Sequence, residues 1–223
     1  ILSLIGVQSG LIALTHADLV EEELLELAIE ELRDLLSGTF LETAPIVATS
    51  SLTGVGISEI EATLASLPVR SKSKEGLFRL PIDRVFHKRG FGSISTGTAL
   101  SGSIKEGEEL VAFPSMKKFR VRALEVHGEA RESAMAGERC AINLGGADEQ
   151  DLKRGCVLIS PHAPVPSSIL DVRYTHLKNA PTIPDGSRTR LLIGTTEVLA
   201  IAQNISSGEP LCPGEEYWLQ LRC

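Results

Sequence analysis

The spacing of hydrophobic and polar positions changes once along the chain. Two short apolar runs, Leu11–Thr15 and Pro45–Thr49, read as buried strands, and each precedes a segment with helical spacing. The first helix is predicted over 21–36. Ser58 and Glu61 form a capping box, which predicts that the second helix begins there. The first helix should bury the apolar positions on one face: Leu24, Leu25, Ala28, Leu32, Leu35 and Leu36. Alternation of strand and helix indicates a parallel sheet covered by helices.

After Pro68 the helical spacing disappears. Short runs rich in Val, Ile, Phe and Thr alternate with glycine turns, which predicts a closed antiparallel barrel. Its predicted strands are Phe78–Phe86, Ser93–Leu100, Glu109–Phe113, Phe119–His127, Arg139–Leu144 and Cys156–Ser160. A proline-rich stretch, residues 161–166, precedes a further β segment. Its predicted strands are Ile169–Thr175, Thr189–Ile193, Val198–Asn204 and Tyr217–Arg222.

These patterns predict an α/β remnant followed by two antiparallel β-barrels. The expected parts are 1–69, a polar linker at 70–76, a barrel at 77–161 and a partial barrel at 162–223. Two strands are too few for a complete doubly wound domain, and a strand reaches the last residue. We therefore expect the chain to be a fragment, with the second barrel truncated.

Composition narrows the classes of function. The 223 residues are 43% hydrophobic and 23% charged, as in globular proteins, and no apolar run approaches the roughly 18 residues of a membrane helix. The four cysteines are scattered at positions 140, 156, 212 and 223, with no zinc-ligand spacing. We expect reduced thiols in the cytoplasm, two of them buried in strands, no metal site and no membrane partner.

Charge is distributed unevenly along the chain. Residues 1–62 contain 11 acidic residues and one arginine, whereas residues 63–223 contain 18 acidic and 21 basic residues. A polyanionic partner is therefore expected to contact the later part of the chain.

Polar motifs follow both predicted strands of the first segment. Thr15-His16-Ala17-Asp18 follows the first strand, and Ser50-Ser51-Leu52 follows the second. Open α/β sheets bind ligands at such carboxyl ends. A carboxylate in the first motif could accept hydrogen bonds from guanine N1–H and N2–H₂, and a backbone N–H in the second could donate to O6. From these residues alone, an acidic loop and a serine-rich helix entry without a ligand remain an alternative.

The same residues carry a family resemblance. The two motifs resemble the fourth and fifth guanine-nucleotide motifs of translational GTPases, usually N/T-K-x-D and S-A-x. The glycine-punctuated stretch from Leu80 to Gly107 is similar to their second domain. More narrowly, the chain resembles the selenocysteine-specific elongation factors over essentially its whole length. The supporting runs are Gly10–Asp18, Arg120–His127, Ala136–Leu144, Lys153–Gly155 and Gly194–Ala200.

The resemblance implies roles in guanine recognition for the first segment, which would be the C-terminal part of a GTP-binding domain. Asp18 would bind the guanine edge, and Ser51 would offer its backbone N–H to O6. Thr15 belongs to the same motif, while two further residues would shape the second loop: Ser50 and Leu52. His16 stands where the family usually has lysine, and could stack on the purine instead.

The resemblance also implies an aminoacyl site in the first barrel. Asp83, Arg84 and Arg139 match positions proposed to surround the selenocysteinyl group of the tRNA. An arginine pair favours a selenolate, which is anionic at neutral pH, over the neutral serine hydroxyl that the same tRNA carries first. Asp83 would orient one of the two arginines. Without the resemblance, Asp83-Arg84 would be read as a surface ion pair.

Basic residues beside this site suggest contacts to tRNA phosphates. Lys88 and Arg89 lie in one predicted turn, and Arg70, Lys72 and Lys74 lie in the linker. A solvated loop and linker explain them equally well.

The chain contains no G-x-x-x-x-G-K-[ST] motif and no D-x-x-G switch. We expect the phosphate-binding half, the Mg²⁺ ligands and all catalytic residues to lie outside it, so that this chain alone does not hydrolyse GTP.

The resemblance thus implies a parent GTPase that delivers selenocysteinyl-tRNA to the ribosome with GTP/GDP and Mg²⁺. It would read an mRNA selenocysteine-insertion element through a C-terminal extension absent here. Two alternatives stay open: a translational GTPase of the general elongation-factor type, and a non-enzymatic tRNA-binding barrel module.

Overall fold

A computed structural model describes residues 2–68, 75–88, 92–148, 150–164 and 166–223. The chain divides into two compact units, Ile1–Arg70 and Ser71–Cys223, and the second contains both β segments. The linker residues 70, 72 and 74 and the turn residue Arg89 lie outside the described residues. Lys88 ends a strand, and its side chain is also outside the description.

The first unit contains a two-stranded parallel sheet and two helices. Strand β1 (Ile12–Leu14) pairs in parallel with β2 (Ile46–Ala48). Helix α1 (Glu22–Leu36) follows β1, and helix α2 (Ile57–Ser66) follows β2. The predicted α/β arrangement is confirmed, with strands one residue shorter at each end than expected.

The predicted apolar face of α1 is only partly correct. Leu24 and Leu35 are 58% and 75% exposed. Of the predicted positions, four are half-buried and follow the i, i+3 and i+4 spacing of a single row: Leu25, Ala28, Leu32 and Leu36. Leu24 and Leu35 each lie one residue before a member of that row, and the rotation of about 100° per residue turns them away from it.

The capping box predicted for α2 is wrong. The helix begins at Ile57, and Gly56 is its N-cap, with φ 76° and no side-chain capping bond. A Cβ at position 56 would lie 2.2 Å from the carbonyl oxygen of Ala48. This tight glycine turn determines where the helix starts, so Ser58 falls inside the first turn rather than at its cap.

The second unit begins with a closed barrel of six strands. Its order is β10-β4-β3-β11-β6-β7, and pairing of β7 with β10 closes it. The strands are β3 (Arg79–Lys88), β4 (Gly92–Thr98), β6 (Glu109–Phe113), β7 (Lys117–Val126), β10 (Arg139–Gly145) and β11 (Val157–Ile159). Every ladder is antiparallel, as predicted. Fully buried side chains fill the interior: Leu80, Ile82, Leu110, Leu124, Ile142, Leu144 and Leu158.

Three short strands at the barrel were not predicted. They are β5 (Ser103–Lys105), β8 (Glu129–Arg131) and β9 (Ser133–Met135). Strand β5 pairs with β9, and β8 extends the edge of β7. Three residues are too few to display an alternating pattern in the sequence.

The last segment is a four-stranded antiparallel sheet in the order β12-β15-β14-β13. Its strands are β12 (Ile169–Thr175), β13 (Ser187–Ile193), β14 (Thr196–Asn204) and β15 (Glu216–Arg222). One face holds a second core: Ala200, Ala202, Leu211, Tyr217, Leu219 and Leu221. Trp218, on the opposite face, is 55% exposed.

Among the described residues, none of the helices has the length and hydrophobicity of a transmembrane span. Within the same residues, no group of three or more His, Cys, Asp or Glu side chains could hold a metal ion.

Two glycines with positive φ provide a test of barrel packing. A Cβ on Gly102 would lie 2.6 Å from the backbone of residues 76–78, whereas one on Gly146 would meet no atom within 4 Å. Both replacements with alanine introduce the strain of a left-handed residue. We expect Gly102→Ala to cost about 1–3 kcal/mol more than Gly146→Ala, because only it overpacks the barrel. Urea unfolding of both variants measures the difference, and equal losses would contradict this packing.

Candidate functional site

The first candidate site is formed by the two loops that leave β1 and β2. The parallel register places Leu14 opposite Ala48, so both chains leave the sheet at the same edge. The backbone N–H of Thr49 donates to the carbonyl of Leu14 at 2.8 Å, and that of Ala17 donates to the carbonyl of Thr49 at 3.0 Å. The two sequence motifs are therefore neighbours, joined through the backbone of Thr49.

The first loop presents its carboxylate to solvent. His16 has φ 64° and ψ 29°, a left-handed conformation in which histidine is enriched relative to most residues. Its Nδ1 lies 3.2 Å from the hydroxyl of Thr15. Asp18 follows in a short 3₁₀ turn and is exposed. Within the described part of the chain, no group donates a hydrogen bond to the Asp18 carboxylate.

The second loop is held by a buried serine. The hydroxyl of Ser50 accepts hydrogen bonds from the backbone N–H groups of Leu52 and Thr53, both at 3.2 Å. Ser50 is only 2% exposed, whereas Leu52 at the loop tip is 85% exposed. Among the described residues, none accepts a hydrogen bond from the backbone N–H of Ser51. Within the described residues, the N–H that the guanine hypothesis requires is therefore available to a ligand.

The second candidate site lies on the outer surface of the barrel. The register between β3 and β4 shifts between Ile82 and Arg84, so Asp83 is an extra residue in a β-bulge. Arg139 begins β10, two strands away, with Thr96 of β4 between them. Both guanidinium Nη atoms of Arg139 bond the Asp83 carboxylate, Nη2 at 3.0 Å from Oδ1. The hydroxyl of Thr96 donates to the same Oδ1 at 2.9 Å.

These contacts determine the ionisation of Asp83. The hydrogen-bonded guanidinium of Arg139 holds the pKa of the Asp83 carboxyl below its ordinary value of 3.8, against the opposing effect of burial. Thr96 and the charge of Arg84 lower it further. Arg84 itself is exposed and forms no ion pair with any described carboxylate. Asp83 offsets one of the two arginine charges, and Glu125, which lines the adjoining cavity, is a second carboxylate near them.

A cavity of ≈ 160 Å³ adjoins the ion pair. At about 30 Å³ for each water, it has room for a small amino-acid side chain. The lining residues are Thr96, Glu125, His127, Gly128, Arg139, Cys140 and Ala141. Burial raises the pKa of the Cys140 thiol to about 12, so this side chain adds no negative charge at neutral pH.

The structure thus brings together most of the residues singled out in the sequence. Thr15, His16 and Asp18 lie beside Ser50, Ser51 and Leu52 in the first unit, and Asp83 lies beside Arg84 and Arg139 in the second. Of the two arginines that Asp83 was expected to orient, it binds Arg139. Sequence reasoning missed Thr96, whose hydroxyl completes the carboxylate's hydrogen bonds, because its role depends on strand register. The contacts proposed for Lys88 and Arg89 stay predictions.

Comparison with known proteins assigns the class of the barrel. Residues 92–159 match the family described as elongation factor Tu domain 2. A crystal structure of a bacterial selenocysteine-specific elongation factor, EF-Sec, superposes with a TM-score of 0.81 at 29% identity, covering 97% of this chain and 35% of that one. The barrel is therefore a domain of the translation elongation factor class.

The particular relationship follows from whole-chain similarity. The selenocysteine-specific elongation factor of Desulfomicrobium baculatum is 43% identical over 226 residues, which cover 100% of this chain and 35% of the relative. The corresponding factor of Escherichia coli K12 is 35% identical over 167 residues, or 74% of this chain and 27% of the relative. Over its full length, the chain is a homologue of the selenocysteine-specific elongation factors, and it spans about a third of their length.

The Asp83–Arg139 pair can be tested by titration. We expect Arg139→Gln to raise the pKa of Asp83, measured from the NMR shift of its carboxyl carbon. Because the folded pKa is lowered, the pair stabilises the protein above pH 3.8, and this contribution is lost as the pH falls through the folded pKa. The wild type should therefore be more stable than Arg139→Gln at pH 7, and this difference should shrink in acid. Its size should lie within the roughly 0–1 kcal/mol that exposed ion pairs contribute.

Arg131→Gln serves as the matched control, because Arg131 pairs with Glu129 in the same barrel and not with Asp83. An Asp83 pKa that is the same in the wild type and in Arg139→Gln would contradict the described contact.

Proposed function

We propose that the whole protein is a selenocysteine-specific translation elongation factor, which delivers selenocysteinyl-tRNA to the ribosome in a GTP-dependent manner. The observation that carries this proposal is the Asp83–Arg139 pair, in which Arg139 lines a small cavity. The similarity to selenocysteine-specific elongation factors supports the same function. In this proposal, residues 77–161 bind the aminoacyl end of the tRNA, and residues 162–223 belong to a third domain.

The electrostatics of the barrel site favour selenocysteine over serine. A selenolate would be attracted by the Arg139 guanidinium that lines the cavity, against the repulsion of the Glu125 carboxylate in the same lining, whereas a serine hydroxyl has no charge to be attracted. Two unit charges 4 Å apart attract by about 1 kcal/mol in water and about 4 kcal/mol at a partly screened surface. Asp83 also holds the Arg139 guanidinium in a defined plane, which reduces the freedom that the side chain loses on binding.

The first unit would supply guanine specificity. The exposed Asp18 carboxylate fits N1–H and N2–H₂ of guanine, and the Ser51 N–H fits O6. The imidazole of His16 is exposed in the same loop and can stack on the purine. GTP or GDP, with Mg²⁺ at the phosphates, would be the cofactors. The phosphate and Mg²⁺ contacts would come from residues outside this chain, which alone would not hydrolyse GTP.

The remaining partners belong to the same proposal. They are the ribosome and an mRNA selenocysteine-insertion element, recognised through a C-terminal extension, in the cytoplasm. Lys88 and Arg89 would contact tRNA phosphates.

Arginine replacement tests the aminoacyl site. In the whole protein, we expect Arg139→Ala to weaken binding of selenocysteinyl-tRNA by about tenfold or more, because a 1.4 kcal/mol loss of attraction corresponds to tenfold. Binding of seryl-tRNA should change much less. Arg131→Ala, which removes another paired arginine of the barrel, is the control. Equal losses for both tRNAs would contradict selectivity at this site and favour a general elongation factor.

A base-specificity change tests the guanine site. In the whole protein, Asp18→Asn removes the negative charge and keeps one oxygen that can accept from N1–H. It replaces the acceptor for N2–H₂ with an amide N–H, which can donate to O2 of xanthine. We expect GTP affinity to fall by about tenfold or more, since each charge-assisted bond contributes roughly 1.5–3 kcal/mol, and xanthosine triphosphate affinity to rise.

Asp34→Asn removes the same charge from α1 of the same unit and should change neither affinity. Loss of binding to both nucleotides in Asp18→Asn, with the fold intact, would argue against base recognition by Asp18. It would favour a barrel module without nucleotide function.

A further inference from the structure

The tip of the β13–β14 hairpin contacts the barrel next to the aminoacyl site. Only Gly194 and Thr195 separate the two strands. The hydroxyl of Thr195 donates to the carbonyl of Ile82 at 2.7 Å. A Cβ on Gly194, which has φ 57°, would lie 3.2–3.3 Å from the ring carbons of Pro81. The last β segment therefore touches strand β3 closely, within the second unit, one residue before Asp83.

The carbonyl of Ile82 is held from two sides. Besides the Thr195 hydroxyl, it accepts a hydrogen bond from the backbone N–H of Gly155 at 3.1 Å. The N–H of Ile82 donates to the carbonyl of Cys156 at 2.8 Å, and the Ile82 side chain is fully buried. Both lone pairs of this carbonyl are thus used, one of them by a side chain from another segment.

The position of this carbonyl affects Asp83 directly. The C=O of Ile82 and the N–H of Asp83 belong to one planar peptide group, so a bond that holds the oxygen also holds the backbone of Asp83. Asp83 is the extra residue of the bulge, and an extra residue has no ladder partner of its own. The hydrogen bonds to the Ile82 carbonyl therefore hold the backbone of Asp83 in place, as ladder hydrogen bonds would in a regular strand.

We infer that Thr195 is a positioning residue of the aminoacyl site. Its hydroxyl holds the Ile82–Asp83 peptide so that the Asp83 carboxylate meets both Arg139 and Thr96. Through this bond, the last β segment determines the orientation of Arg139, the residue that distinguishes a selenolate from a hydroxyl in the proposed function. The selectivity part of this inference rests on the proposed function, whereas the positioning part rests on the contacts alone.

Two substitutions isolate the hydroxyl. Thr195→Val keeps the shape of the side chain and removes the donor, while Thr195→Ser keeps the donor. Thr189→Val makes the same chemical change on the exposed part of β13 and serves as the control. The first readout is the NMR titration of the Asp83 carboxyl without tRNA. The second is the ratio of affinities for selenocysteinyl-tRNA and seryl-tRNA, measured on the whole protein.

We expect Thr195→Val to raise the Asp83 pKa towards its ordinary value and to lower the affinity ratio several-fold. Thr195→Ser and Thr189→Val should keep both readouts at the wild-type values. A Thr195→Val protein that is less stable, yet has the wild-type Asp83 titration, would overturn the inference, because the contact would then be only structural.

The two readouts also separate this inference from the proposed function. A wild-type protein that binds both tRNAs equally would contradict the proposed function. The Asp83 titration, which needs no tRNA, would still decide whether Thr195 positions the carboxylate.

Discussion

The ion pair between Asp83 and Arg139 depends on the strand order β10-β4-β3 in the barrel, and the proposed selectivity depends on the ion pair. The two residues are 56 positions apart in the chain and reach one another only because β4 lies between β3 and β10. The bulge at Asp83 turns its carboxylate towards the neighbouring strands, and Thr96 supplies the hydrogen bond that the guanidinium leaves unmade. An exposed arginine elsewhere on the surface would carry the same charge but would lack this defined orientation.

The charge balance of the site explains why an acidic residue belongs there. Two arginines without Asp83 would attract any anion, including the phosphates of the tRNA itself. Asp83 offsets one of the two arginine charges, and the Glu125 carboxylate in the cavity lining reduces the positive charge further. The neutral thiol of Cys140 and the small side chains of Thr96 and Ala141 leave space beside the pair without adding charge.

Much of the fold follows from the sequence, because apolar or alternating runs of five or more residues between turns indicate strands. Glu109–Phe113 and Ile169–Thr175 occupy the predicted bounds. The start of α2 was mispredicted because the close approach of Gly56 to Ala48 is a tertiary contact that competes with a good local capping pattern. Asp83 and Arg139 were found through family resemblance, but their pairing depends on the bulge. Thr195 lies in a run that supports the family resemblance, but its role could not be predicted, because it arises from contact between two β segments.

The central claim is that charge at the Asp83–Arg139 site distinguishes selenocysteine from serine. The most direct measurement is the affinity of the whole protein for selenocysteinyl-tRNA and seryl-tRNA across a pH range that spans protonation of the selenolate. If the claim is correct, the preference for selenocysteinyl-tRNA is large at neutral pH and declines as acid protonates the selenolate, while seryl-tRNA binding stays constant. A preference that does not change over this pH range would show that shape, not charge, is recognised.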